Sequence, residues 1–135
     1  MMRKLMPVLW FVVVAALYAT STVQAQEAPA FITKTYPKQA INAAVQDMMV
    51  LQGADAAISP KVRELIGLAV SAQIPCVYCV YFHTKAAKKF GASDAEIKEA
   101  LAQAGQVRKW STILNGSMYD QKAWQAEVDE MFPSN

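Results

Sequence analysis

Both cysteines and the only histidine of this 135-residue chain fall within eight residues: Cys76, Cys79 and His83, in the stretch "IPCVYCVYFH". At ~100° per residue, Cys79 lies ~60° and His83 ~20° around a helix from Cys76, so all three share one face. Cys79 and His83 then stand one turn apart, ~6 Å along the axis, close enough to interact directly or through one water. Pro75 precedes the group and suits the first turn of a helix, where its missing N–H costs nothing. The unpaired N–H groups and positive dipole end of such a helix favour a thiolate. Cysteines ionise more readily at helix N-termini and beside an imidazolium.

A Cys-x-x-Cys pair can form a disulfide without large backbone movement. As a staple it would close a loop of only four residues and contribute ~2 kcal/mol by chain entropy, so the spacing favours a redox pair over a purely structural bridge. A metal site is the other alternative, with Glu64 as fourth ligand to Cys76, Cys79 and His83. Structural zinc usually draws on two separated ligand pairs, and three ligands on one helix fit a tetrahedron poorly. Attachment of c-type haem needs His directly after the second Cys, where this chain has Val80. No cofactor is implied. Glu64 lies 12 residues before Cys76, among Leu65, Ile66, Leu68 and Ala69. A partly desolvated carboxylate there could exchange protons with the site. On pattern alone, the simpler reading is an exposed glutamate paired with Lys61 or Arg63.

The elements that must hold these residues read as helices. Ile41, Ala44, Val45, Met48 and Met49 recur at three- and four-residue steps, an amphipathic stripe that Gly53 ends. Ser59 is an N-cap and Pro60 a first helical residue for a helix to Gln73, with Val62, Leu65, Ile66, Ala69 and Ala72 as its buried face. The cysteine helix runs from about Pro75 to Phe90, and Gly91 is its C-cap signal. Val77, Val80, Tyr81 and Thr84 stripe its other side, so it reads as a helix buried nearly all round. Ser93-Asp94-Ala95-Glu96 forms a capping box for the next helix. Gly105 marks a bend, Val107 to Met118 resumes, and a short helix around Trp124 to Met131 finishes before Pro133. No segment alternates as a strand does. The expectation is an all-α fold of five to six helices. Trp110, Trp124 and the methionines are expected in the core or at subunit contacts, so an oligomer is expected. A thioredoxin-like domain is disfavoured because no βαβ pattern surrounds the motif.

Residues 1–25 carry a different signal. Arg3 and Lys4 precede an apolar run from Leu5 to Ala19, and Val23-Gln24-Ala25 offers a cleavage site. This is the pattern of a secretory signal peptide, with an apolar run shorter than the ~20 residues a spanning helix needs. Removal leaves 110 residues, with 26–37 as an N-terminal arm and 38–135 as one helical domain. The expected location is periplasmic or secreted, without stable membrane insertion, where two cysteines tend to be oxidised. Without Arg3 and Lys4, 11 basic residues face 11 acidic ones. There is no basic stripe with interleaved aromatics and no Gly-rich phosphate loop, so nucleic acid is not an expected partner.

The stretch "SPKVRELIGLAVSAQIPCVYCVYFHTKAAKKFGASDAEIKEAL" resembles the core of the carboxymuconolactone decarboxylase / AhpD-like superfamily, in its alkylhydroperoxidase (AhpD-like) branch. The resemblance covers about Ser59 to Met118. It rests on Glu64, on Cys-x-x-Cys-x-x-x-His twelve residues later, and on Gly91-Ala92-Ser93-Asp94-Ala95-Glu96-Ile97. The decarboxylase branch lacks the Cys-x-x-Cys. The resemblance implies an all-α fold that assembles as trimers or hexamers, and a thiol-dependent alkylhydroperoxidase activity. It implies Cys79 as the peroxidatic thiolate, Cys76 as the resolving cysteine, and His83 with Glu64 as the proton relay. A hydroperoxide substrate and a dithiol reductant of unknown identity follow. The best-known members carry a second histidine between the cysteines. Here that position is Tyr78, and a phenol is a poor substitute for an imidazole as a base near neutral pH. Two alternatives stay open: a thiol–disulfide oxidoreductase acting on exported proteins, and a non-enzymatic protein whose disulfide is structural.

Overall fold

The structure is a computed structural model that describes residues 28–134. The expected leader, residues 1–25, lies outside the described residues. Among those described there are six α-helices, one short 3-10 turn and no strand, so the all-α expectation holds. The helices are α1 (Ala30–Thr35), α2 (Ile41–Leu51), α3 (Pro60–Gln73), α4 (Val77–Lys89), α5 (Asp94–Gly116) and α6 (Gln121–Met131). The 3-10 turn, Lys38–Ala40, leads into α2.

The chain divides into two compact units, one up to Val45 and one from Gln46 onward, with the division inside α2. The described part of the first unit holds α1, the 3-10 turn and the first residues of α2. The second contains every expected site residue. There α3 packs against both α4 and α5.

Local signals explain the boundaries. Ser59 caps α3, with Pro60 at its first position. α4 ends in a Schellman motif: the Ala92 N–H donates to the Ala87 carbonyl at 2.9 Å and the Gly91 N–H to the Lys88 carbonyl at 3.0 Å. That geometry needs a left-handed residue, and Gly91 supplies it with φ of +85°. Ser93 and Glu96 form the expected capping box of α5: the Ser93 N–H donates to Glu96 Oε2 at 2.7 Å and the Glu96 N–H to Ser93 Oγ at 3.2 Å. Asp120 Oδ1 accepts the Ala123 N–H at 2.8 Å and starts α6.

The core of the second unit is small. Leu68 and Ala87 are fully buried, Ala92 and Ile97 nearly so, and Leu65 and Val80 pack around them. Polar ties fasten the helices at their ends. Lys61 on α3 pairs with Glu96 at the start of α5 at 2.7 Å. Gln73 at the end of α3 donates to the Ala104 carbonyl at 2.6 Å and accepts from Arg108 Nε at 2.7 Å. Arg63 Nη1 donates to the carbonyl of Leu51, the last residue of α2, at 2.9 Å.

Three sequence expectations are corrected. The buried face of α3 is Glu64, Leu68 and Ser71 with Leu65 beside them, whereas Val62 and Ile66 are 42% and 48% exposed. α3 is apolar almost all round, so periodicity could not choose its inner side, and two polar residues point inward. Gly105 does not interrupt the helix: α5 continues through it to Gly116, because a single glycine weakens a helix without ending it. α4 is not buried all round, since Val77, Tyr78, Tyr81 and Phe82 are exposed. Among the described residues α4 packs chiefly against α3. Trp110, Trp124 and the methionines Met48, Met49, Met118 and Met131 are exposed within this chain, which leaves subunit contacts, not the core, as the expectation for them.

Candidate active site

The loop between α3 and α4 is two residues long, Ile74 and Pro75, followed by Cys76 as the N-cap of α4. The helix thus begins at Val77, not at Pro75 as the sequence suggested. Cys76 has extended backbone angles and its Sγ accepts the Cys79 N–H at 3.2 Å. A sulfur takes the place that a serine or aspartate oxygen usually holds at a helix start. The Cys76 N–H donates to the Ser71 carbonyl at 3.0 Å, fixing the cap against the last turns of α3. Cys76 and Cys79 are joined as a disulfide, with Cα atoms 5.3 Å apart.

His83 lies one turn beyond Cys79 on α4. Its Nδ1 is 2.7 Å from Glu64 Oε2 on α3. The Glu64 side chain is only 4% exposed and that of His83 25%. Glu64 is therefore not the exposed partner of Lys61 or Arg63 that pattern alone favoured. Lys61 is engaged by Glu96, and Arg63 reaches the Leu51 carbonyl instead. A buried carboxyl group must be compensated by a hydrogen-bonding or charged partner, and His83 is that partner. The pairing also fixes the imidazole, leaving Nε2 as its second proton-exchanging atom. The Phe82 ring meets His83 edge-on, with centroids 5.1 Å apart.

The structure thus brings Glu64 to His83 across two helices, and Cys76 to Cys79 at the start of one of them. The arrangement can pass a proton between a buried carboxyl and an imidazole one turn from a sulfur. Among the described residues, no group of three or more His, Cys, Asp or Glu side chains converges as metal ligands would. Two site residues escaped the sequence reading. Gly67 lies under the His83 ring, and Ser71, buried, donates from Oγ to the Gly67 carbonyl at 2.5 Å. Glu64, Gly67 and Ser71 stand at i, i+3 and i+7 and so share a face of α3, but nothing in the sequence marks that face as the one beneath the motif helix.

An all-α chain whose short interhelical loop delivers a Cys-x-x-Cys-x-x-x-His helix onto a buried glutamate defines the class. The family model of the carboxymuconolactone decarboxylase family matches residues 39–117, and the chain belongs to that family. It is also 34% identical over 55 residues to "Uncharacterized protein 4 in cox locus" of Paracoccus denitrificans. That match takes in 41% of this chain and spans half the length of the relative.

Proposed function

We propose that the protein is a thiol-dependent alkylhydroperoxidase. Family membership supports a peroxidase-type role in general. The observation that carries the finer reading is the 2.7 Å contact between buried Glu64 and His83, one turn from Cys79 of the Cys76–Cys79 pair. In the reduced protein His83, backed by Glu64, takes the proton of Cys79. The Cys79 thiolate attacks the O–O bond of a hydroperoxide, forming a sulfenic acid, and the departing alkoxide takes a proton to leave as alcohol. The Cys76 thiol displaces hydroxide from that sulfur, giving the disulfide and water. A dithiol then attacks the disulfide and leaves oxidised, restoring both thiols.

On this reading the protein acts outside the cytoplasm, in the periplasm or secreted, as the leader pattern of residues 1–25 suggests. No helix among the described residues is long and apolar enough to cross a membrane. The exposed apolar residues of α3 and α4 support a homo-oligomer, a trimer or hexamer by resemblance. The test is consumption of cumene hydroperoxide by the purified protein with dithiothreitol as donor. Loss of turnover in Cys79→Ser is expected; wild-type turnover in that variant would sink the assignment.

A second reading draws on a different observation. The Cys76 sulfur accepts a helix N-terminal N–H, a feature suited to thiol–disulfide exchange with a protein partner. Faster turnover of a protein disulfide than of cumene hydroperoxide would favour it. A bridge of purely structural kind would show a reduction potential below about −300 mV.

A further inference from the structure

Of the five glycines in the chain, Gly91 is called for by its left-handed φ, and Gly67 alone has another residue's ring where its own Cβ would stand. A Cβ at Gly105 or Gly116 would meet nothing within 4 Å, and at Gly53 only backbone oxygens of the preceding turn. A Cβ at Gly67 would lie 2.5 Å from His83 Nδ1 and 2.8 Å from His83 Nε2, with Cε1 between them nearer still. The three closest atoms are thus the whole nitrogen-bearing edge of the imidazole. Gly67 is in the interior of α3, where alanine is intrinsically preferred, so helix propensity does not account for it. Its φ is not left-handed either, so backbone geometry does not call for glycine.

Two contacts hold the ring in this place. Nδ1 is held by Glu64, one turn before Gly67 on the same face of α3, and the Phe82 ring stands at its flank. The Ser71 hydroxyl, bonded to the Gly67 carbonyl, fixes the backbone beneath it. We infer that Gly67 is a positioning residue: the missing side chain forms the seat on which the imidazole rests in register with Glu64. The inference rests on the peroxidase reading for its effect on rate, and on geometry alone for its effect on the ring.

The experiment compares Gly67→Ala, His83→Ala and the double variant with the wild type. Because His83 is the only histidine, its imidazole nitrogens give one unambiguous set of NMR signals. Gly67→Ala is expected to shift the His83 Nδ1 resonance away from its hydrogen-bonded position. It should also lower turnover of cumene hydroperoxide at least tenfold, and move the pH profile of iodoacetamide alkylation of the reduced protein toward that of His83→Ala. In the His83→Ala background, alanine at 67 should cost no further activity and should hold or raise the thermal midpoint. Should Gly67→Ala fail to fold while the double variant folds, the steric seat is supported equally. Unchanged imidazole resonances and an unchanged alkylation profile in Gly67→Ala would overturn the inference. So would an equal loss of thermal midpoint, or failure to fold, in both backgrounds. If the wild type consumes no hydroperoxide, the peroxidase reading fails, while the resonances and midpoints still decide the seat.

Discussion

Replacing Cys79 by serine removes the sulfur that the proposed reaction oxidises, and turnover should fall to background. Glu64→Gln separates proton exchange from hydrogen bonding, because the amide keeps the shape and can still bond to the ring. It and His83→Ala should each lower the rate of hydroperoxide reduction by roughly 10²–10⁴-fold, the usual worth of positioned acid–base groups. The check is steady-state kinetics beside thermal melts, so that loss of fold is told apart from loss of chemistry. At this scale the sequence was informative where spacing mattered. Cys76, Cys79 and His83 are close in the chain, so one helix period shows their shared face. Glu64 was not legible by pattern, since its partner lies 19 residues away on another helix. Gly67 was silent too, as a glycine in an apolar helix has no signature until the ring above it is placed.

Helix ends make sharper predictions than helix faces. Gly91 holds a positive φ at the end of α4, so Gly91→Ala should cost about 1–2 kcal/mol, read as a lower urea midpoint with unchanged slope. At the start of α5 the hydrogen bond from Lys61, then those from the Ser93 backbone and hydroxyl, hold the Glu96 carboxyl down at about 2 from an ordinary 4.5. A group whose folded value is depressed stabilises the fold above its unfolded range and loses that contribution as pH falls through its folded value. The wild type should therefore lose stability relative to Glu96→Gln between about pH 4.5 and 2, and acid-unfolding curves of the two proteins should converge there. Both features were readable in advance because caps are local: Ser93 with Glu96, and Gly91 after a lysine-rich turn, need no knowledge of the rest of the fold. The inner face of α3 was not readable, since Val62, Ile66 and Val70 carry as much hydrophobicity as the Leu65 and Leu68 that face the core.

For the molecule as a whole, the fully buried side chain of greatest volume among the described residues is Leu68, packed with Ala87, Ala92 and Ile97. Leu68→Ala should cost about 2–5 kcal/mol. That is a large part of the 5–15 kcal/mol typical of a domain, and chemical denaturation will register it. Val62, Ile66 and Val70 on α3, with Ile74 just past its end, form an exposed apolar line, at 42%, 48%, 53% and 63%. Sedimentation velocity on the purified protein should accordingly find a trimer or hexamer; a monomer at micromolar concentration would remove that part of the proposal.

The sulfur at the start of α4 joins two properties that are usually separate. On the second reading, in which Cys76 is the exchanging sulfur, an ionised Cys76 in the cleaved pair would accept the Cys79 amide hydrogen more strongly than a neutral disulfide sulfur does. Whatever secures the helix in the dithiol form also raises the electron affinity of the couple, because a stabilised reduced form makes the oxidised form the stronger oxidant. Secondary-structure strength and redox poise would on that reading be set by the same amide.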